Sequence, residues 1–211
     1  MLYLTIKLTT VVLIYKIVAI GQFYATASTL LIPLWFFLGN VITEGYGYQV
    51  TKRLIWISLL CQFIFAFACA GLVTLHSPPN WPNQEAYVQL LSKLPRVAMA
   101  SFIAIVAGAF LNAYAITKWK ILLNGKYFWL RCIGATAVGE IIFTLISIIT
   151  EYWGVTPASN IAHLIVVSYC TKLLADPILI LPAALLAMWI KKSEQINTSD
   201  DNTNFNPFSL S

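Results

Sequence analysis

The most constraining feature of this chain is a series of long apolar runs. A helix that crosses a bilayer needs about 20 mostly apolar residues. Six runs approach that length, at roughly 3–21, 26–43, 54–75, 96–116, 128–150 and 163–190. A soluble domain could not cover so much apolar surface. The chain is 59% hydrophobic and 10% charged, whereas about a quarter of an ordinary soluble domain is charged. In lipid every backbone polar group must be satisfied within its own segment, which selects helices over open sheets. The expected fold is an all-α integral membrane protein of six transmembrane helices, occupying residues 1–192. The last helix is long, with kinks expected at Asp176-Pro177 and Pro182 because proline removes a helix hydrogen bond. Residues 193–211, rich in Asn, Ser and Asp, are expected to form a disordered tail.

The connections sort by charge. With six spans, one side collects Lys7, Lys52, Arg53, Lys118, Lys120, Lys126, Lys191 and Lys192, and the other holds Lys93 and Arg96. Basic residues mark the cytoplasmic side, so both termini are expected in the cytoplasm, as in a multi-pass protein of a bacterial inner membrane. The first run could mimic a secretory signal. Lys16 inside it, and the second run directly behind it, favour an uncleaved helix. Residues 76–95, with Pro-Pro and Asn-Trp-Pro, read as an irregular loop followed by a short amphipathic turn.

Several function classes drop out. The net charge of +5 follows from topology and needs no nucleic-acid partner. Cys61, Cys69, Cys132 and Cys170 lie in apolar runs without C-x-x-C spacing, and His76 and His163 are isolated. No metal site or cofactor is expected. There is no phosphate-binding Gly-rich Lys-Ser/Thr loop, no H-E-x-x-H and no nucleophile elbow, so an enzyme is not expected.

What remains is a set of polar groups inside apolar runs. Each ionisable one costs roughly 2.5–3.5 kcal/mol to insert, so each is a functional candidate by default. They are Lys16, Glu44, Arg131, Glu140, Lys172 and Asp176, with the amides Asn40 and Asn112. Glu44 and Arg131 lie near run ends, where snorkelling to the interface competes with function. Lys172 and Asp176 are four apart, hence on one helix face, and suit either an ion pair or ligand contact. Glu140 is the sharpest case: it sits mid-run in "GATAVGEIIF" among small residues that admit a neighbouring helix closely.

Two stretches carry a resemblance. Residues 15–56 hold Lys16, Pro33, the segment "GNVITEGYG" and Lys52-Arg53. Residues 109–140 hold Asn112, Lys118, Lys120, Trp129-Leu130-Arg131, Thr136 and Gly139-Glu140. A weaker third match is "SYCTKLLADPILILP" at 168–182. Together they resemble the putative vitamin uptake transporter family, also called queuosine precursor transporters. Four positions depart from that family's pattern: Asn40 and Phe143 stand where aspartates are usual, Ala135 replaces a serine and Gly45 a valine.

The resemblance implies inner-membrane uptake of a deazaguanine-type nucleobase or a similar small planar heterocycle or vitamin. A guanine-like edge offers two adjacent N–H donors, which a carboxylate accepts bidentately. The expected substrate-binding residues are Asn40, Glu44, Asn112, Trp129, Arg131, Thr136 and Glu140, with Trp35, Trp129 or Tyr114 stacking on the ring. Lys16, Lys172 and Asp176, alongside Glu140, are candidates for energy coupling or ion pairing. Two other readings are carried: a substrate-binding subunit served by a separate ATPase, and a membrane scaffold that transports nothing. A homodimer is a further expectation, with the small residues of "FAFACAG" in the third run as a contact face.

Overall fold

A computed structural model of the chain describes residues 1–78, 80–154, 156–194 and 205–208. The elements run α1 (Leu2–Leu13), β1 (Ile17–Ile20), β2 (Phe23–Thr26), a 3₁₀ turn (Ala27–Leu30), α2 (Ile32–Tyr46), α3 (Tyr48–Val73), α4 (Gln84–Leu91), α5 (Leu94–Leu122), α6 (Phe128–Tyr152) and α7 (Ala158–Glu194). Five helical stretches are long and apolar enough to cross a membrane: Ala27–Tyr46, Tyr48–Val73, Gln84–Leu122, Phe128–Tyr152 and Ala158–Glu194. The protein is an all-α integral membrane protein, apart from one small hairpin.

The hairpin corrects the expected first span. The run 3–21 does not form one helix. α1 ends at Leu13, about 18 Å from its start at 1.5 Å per residue, short of a bilayer core of about 30 Å. The chain then pairs β1 with β2 in antiparallel register, Ile17 opposite Thr26 and Ile20 opposite Phe23. The two-residue loop is Gly21-Gln22, and Gly21 takes φ +63°, a turn position that glycine fills without strain. β-Branched residues before a Gly-led turn favour this outcome over a continued helix. The hairpin packs at the end of the bundle where α6 stops and α7 begins. Phe23 stacks on His163 at 6.3 Å, and Tyr152 Oη donates to the Ile14 carbonyl at 2.7 Å.

The remaining runs are longer as helices than their apolar cores. α3 and α7 extend past the expected limits 54–75 and 163–190, and the 76–95 loop contains α4. α7 stays helical through Pro177 and Pro182. Gly47, at φ +84°, makes the sharp turn between α2 and α3. Of the tail expected to be disordered from residue 193, the structure describes 193–194, where α7 continues to Glu194, and Phe205–Phe208, which lie against the bundle. The rest of that expectation, at 195–204 and 209–211, lies outside the described residues.

α6 shows how the interior is chosen. Its buried side chains are Arg131, Ala135, Thr136, Gly139, Glu140, Phe143, Thr144, Ser147, Ile148 and Glu151, with Cys132 and Tyr152. That is a helical stripe at three- and four-residue spacing. It is more polar than the outward face, because lipid rather than water surrounds the bundle.

α5 and α6 meet at Gly108 and Gly139. A Cβ on Gly139 would lie 2.7 Å from Asn112 Cβ and 2.8 Å from the Gly108 carbonyl oxygen. Backbone on the far side cannot rotate away. Gly139→Ala is therefore expected to cost about 1–3 kcal/mol and to lower the unfolding temperature of detergent-solubilised protein. Gly71→Ala, where no atom comes within 4 Å of the new Cβ, is expected to leave that temperature unchanged. Equal melting curves for the two variants would contradict the close approach.

Candidate substrate-binding site

Three polar layers stack inside the bundle. The central one joins α2, α5 and α6. Asn112 Nδ2 donates to Asn40 Oδ1 at 2.7 Å. Asn40 Nδ2 donates to Thr136 Oγ1 at 2.8 Å, and Thr136 Oγ1 reaches back to Asn112 Oδ1 at 3.5 Å. All three side chains are buried. Each donates and accepts once, so the ring closes on itself. An aspartate at position 40 would accept from both neighbours and donate to neither, which explains why an amide suits this ring.

Two small cavities flank the ring, each of about 10 Å³, room for roughly one water. One is lined by Tyr3, Trp35, Gly39, Thr51, Ile55 and Asn112, among others. The other includes Asn40, Thr136, Cys132, Asp176 and Ala183. The ring is thus a partition between two spaces. Beside the second, Pro177 of α7 follows Asp176 directly, and each proline removes one hydrogen bond from the helix ladder.

The second layer lies near the end of α2 and corrects an expectation. Arg131 and Glu44 do not snorkel. Arg131 is 0% exposed, and its Nη1 lies 3.0 Å from Glu44 Oε2. The other Glu44 oxygen is taken by Lys191 Nζ at 2.5 Å. Arg131 also donates to the carbonyls of Lys126 at 3.0 Å, Gly125 at 3.3 Å and Ile116 at 3.4 Å. The cluster ties α2, α5, α6 and α7 together. Its donors and acceptors are consumed within the protein.

The third layer is different in kind. Glu140 is 0% exposed, and among the described residues neither carboxylate oxygen has a hydrogen-bond partner. The charged groups acting on it are Lys172 and Asp176, from α7. Lys172 does not pair with Asp176, as four-residue spacing suggested. It donates across to Thr144 Oγ1 at 2.7 Å and lies 5.4 Å from the Phe143 ring. Asp176 Oδ2 is also without a partner. An unpartnered buried polar atom costs about 1–3 kcal/mol, more when charged.

Placement separates the other candidates. Lys16 is exposed in the turn before β1. Trp129 faces outward at 52% exposure, and Tyr114 also points out. Trp35 is buried against Tyr3, at 5.5 Å between ring centroids, and its indole nitrogen has no partner. Three interior groups were not singled out from the sequence. Glu151 is buried, accepts from Ser147 Oγ at 2.8 Å and leaves its second oxygen unpartnered. Its signal was present as the spacing Thr136, Glu140, Thr144, Ser147, Glu151 on one face. Lys7, counted with the surface charges, is buried and donates to Ser58 Oγ at 2.8 Å. Gln62, one turn further along α3, has neither amide atom satisfied.

The family model described as "Putative vitamin uptake transporter" matches residues 26–187. The chain belongs to this family. The match covers α2, the amide ring, Glu44 and Arg131 but not Lys191, and most of α7, so the amide ring and the unpartnered carboxylates Glu140 and Asp176 lie within the family's shared region. A protein of Bacillus subtilis (strain 168) named "Probable queuosine precursor transporter" is 26% identical over 175 residues, covering 82% of this chain and 76% of the relative. No solved structure matches the chain.

Proposed function

We propose that this protein is an inner-membrane uptake transporter for a queuosine precursor, a planar deazaguanine-type heterocycle. The observation that carries the reading is Glu140: a buried carboxylate with both oxygens unpartnered, one helical turn from the Asn40–Asn112–Thr136 ring. A guanine-like edge presents two adjacent N–H groups to such an acceptor, and charge-assisted bonds are roughly twice as strong as neutral ones. The amide ring would open to serve the heterocycle's carbonyl and remaining donors. Family membership and the named relative support the substrate class. The basic residues Arg53, Lys118, Lys120, Lys126, Lys191 and Lys192 at one end of the bundle support a cytoplasmic position for that end and for the C-terminus of α7.

Glu140, Lys172 and Asp176 can also exchange protons, and we extend the reading to proton-coupled uptake. A protonophore should then abolish accumulation against a gradient; accumulation that survives it would discard the coupling. Assembly as a homodimer through the Phe65–Gly71 face of α3 belongs to the same reading.

The substrate itself is tested by ligand-dependent stabilisation. A ligand that binds only the folded state at 100 times its Kd adds about 2.7 kcal/mol. The purified protein should therefore melt several degrees higher with a deazaguanine heterocycle, and unchanged with adenine, which lacks the paired donors. No shift with any deazaguanine, together with no uptake in cells deprived of their own transporter, would overturn the proposal. Co-purification of an ATPase would redirect it to an ATP-driven system.

A further inference from the structure

The C-terminal segment Phe205–Phe208 is not loose. Three donors spaced four residues apart on one face of α3 reach three consecutive carbonyls of this segment. Tyr48 Oη donates to the Phe205 carbonyl at 3.0 Å, Lys52 Nζ to that of Asn206 at 3.5 Å, and Trp56 Nε1 to that of Pro207 at 2.8 Å. The segment turns at Pro207-Phe208, where the Phe208 N–H donates to Asn206 Oδ1 at 3.0 Å, so its three carbonyls are presented to one face of the helix.

The side chains fill a matching groove. Phe205 packs against Tyr48 at 5.3 Å and edge-on to Tyr114 at 5.4 Å, with Lys118 Nζ 4.5 Å from its ring centroid. Phe208 reaches Trp56 at 5.9 Å. Tyr48, Lys52 and Trp56 belong to α3, and Tyr114 and Lys118 to α5. The segment therefore bridges the seam between these two helices. One of the small cavities beside the amide ring is lined along the same seam, by Thr51 and Ile55 of α3 and by Ala109, Asn112 and Ala113 of α5.

We propose that the α3–α5 groove is a peptide-docking surface whose occupant is the chain's own Phe205-Asn-Pro-Phe208 segment, and that the docked segment latches the seam over the interior cavity. The latch and the path to the amide ring are one structure: parting α3 from α5 requires the segment to leave. Proline at 207 suits the role, because it has no N–H to leave unpaired in an apolar groove. The consequence for transport rests on the uptake reading above. The latch itself does not.

Two measurements test it, one independent of transport. In a background with the native cysteines replaced, Thr51→Cys places a thiol on the cavity wall. Deleting residues 205–211 should raise its rate of reaction with a water-soluble maleimide at least fivefold. An unchanged rate would overturn the latch whatever the protein carries. The second measurement uses Tyr114→Cys with Phe205→Cys. Oxidation should cross-link them and reduce uptake of the deazaguanine at least tenfold, and reductant should restore it. A cross-linked protein that transports at the reduced rate would likewise overturn the latch. Should neither form transport, the maleimide result stands alone and only the uptake reading fails. Trp56→Phe keeps the ring, removes the bond to Pro207, and should raise the maleimide rate part-way.

Discussion

Glu140→Gln should abolish most uptake while making the protein no less stable. Among the described residues the carboxylate makes no hydrogen bond, so a neutral amide of the same shape breaks none and takes away a buried charge that no hydrogen bond satisfies. The melting temperature should stay level or rise. Transport should fall for the opposite reason. Two charge-assisted bonds to the substrate edge become at best one neutral bond, a loss of about 3 kcal/mol and roughly 100-fold in affinity. The check is initial uptake at low substrate concentration, alongside thermal unfolding of the purified variant. Normal uptake would remove Glu140 from the site. Lost uptake with lost stability would make it a packing group instead. The combination expected here marks a residue kept for function at a cost in stability.

Arg131→Met should do the reverse and damage the fold first. Arg131 holds Glu44 and the carbonyls of Gly125, Lys126 and Ile116. Methionine fills similar volume but satisfies none of them. Breaking a buried ion pair by removing one partner typically costs about 3–5 kcal/mol. The variant should express poorly or melt far below the parent. Adding Glu44→Gln should recover part of the loss, because the stranded charge is removed. The readout is the yield of monodisperse protein and its melting curve. A single variant as stable as the parent, or a double variant no better than the single, would contradict a structural role for the clamp.

The two residues looked alike in the sequence. Both were ionisable groups in apolar runs, and both carried the same insertion cost. Their partners separate them, and partners come from other helices. Glu44 meets Arg131 at a separation of 87 residues and Lys191 at 147. Asn40, Asn112 and Thr136 were likewise legible as polar oddities one by one. That they close a single ring depends on Gly108 and Gly139 bringing α5 and α6 together. Lys172 and Asp176 suited either an ion pair or ligand contact by their spacing; the structure has Lys172 bonding across to Thr144.

Misreadings followed the same logic. Hydropathy treated 3–21 as one segment, because a strand-forming run and a helix-forming run are equally apolar. The Gly21 turn and the β-branched residues before it carried the distinction. Trp129 was plausible as a stacking ring because residue type says nothing of direction. It lies 7 and 11 residues before Thr136 and Glu140, on the same face of α6, but stands in the helix's first turn and is 52% exposed. Glu151 went unseen because it fell just beyond the run limits at 128–150, although its helical spacing from Glu140 and Thr144 was in plain view.

By itself, then, the sequence determined the environment and the material. Apolar runs of spanning length require helices in lipid, and polar residues inside them require either a partner or a purpose. The tertiary structure decided which of those two each residue has. In lipid the interior is not set apart by being more apolar, so hydropathy cannot say which face of a helix turns inward. Only the packing of α2, α5, α6 and α7 shows that Glu44 is paired with Arg131 and Lys191 while, among the described residues, neither oxygen of Glu140 has a hydrogen-bond partner.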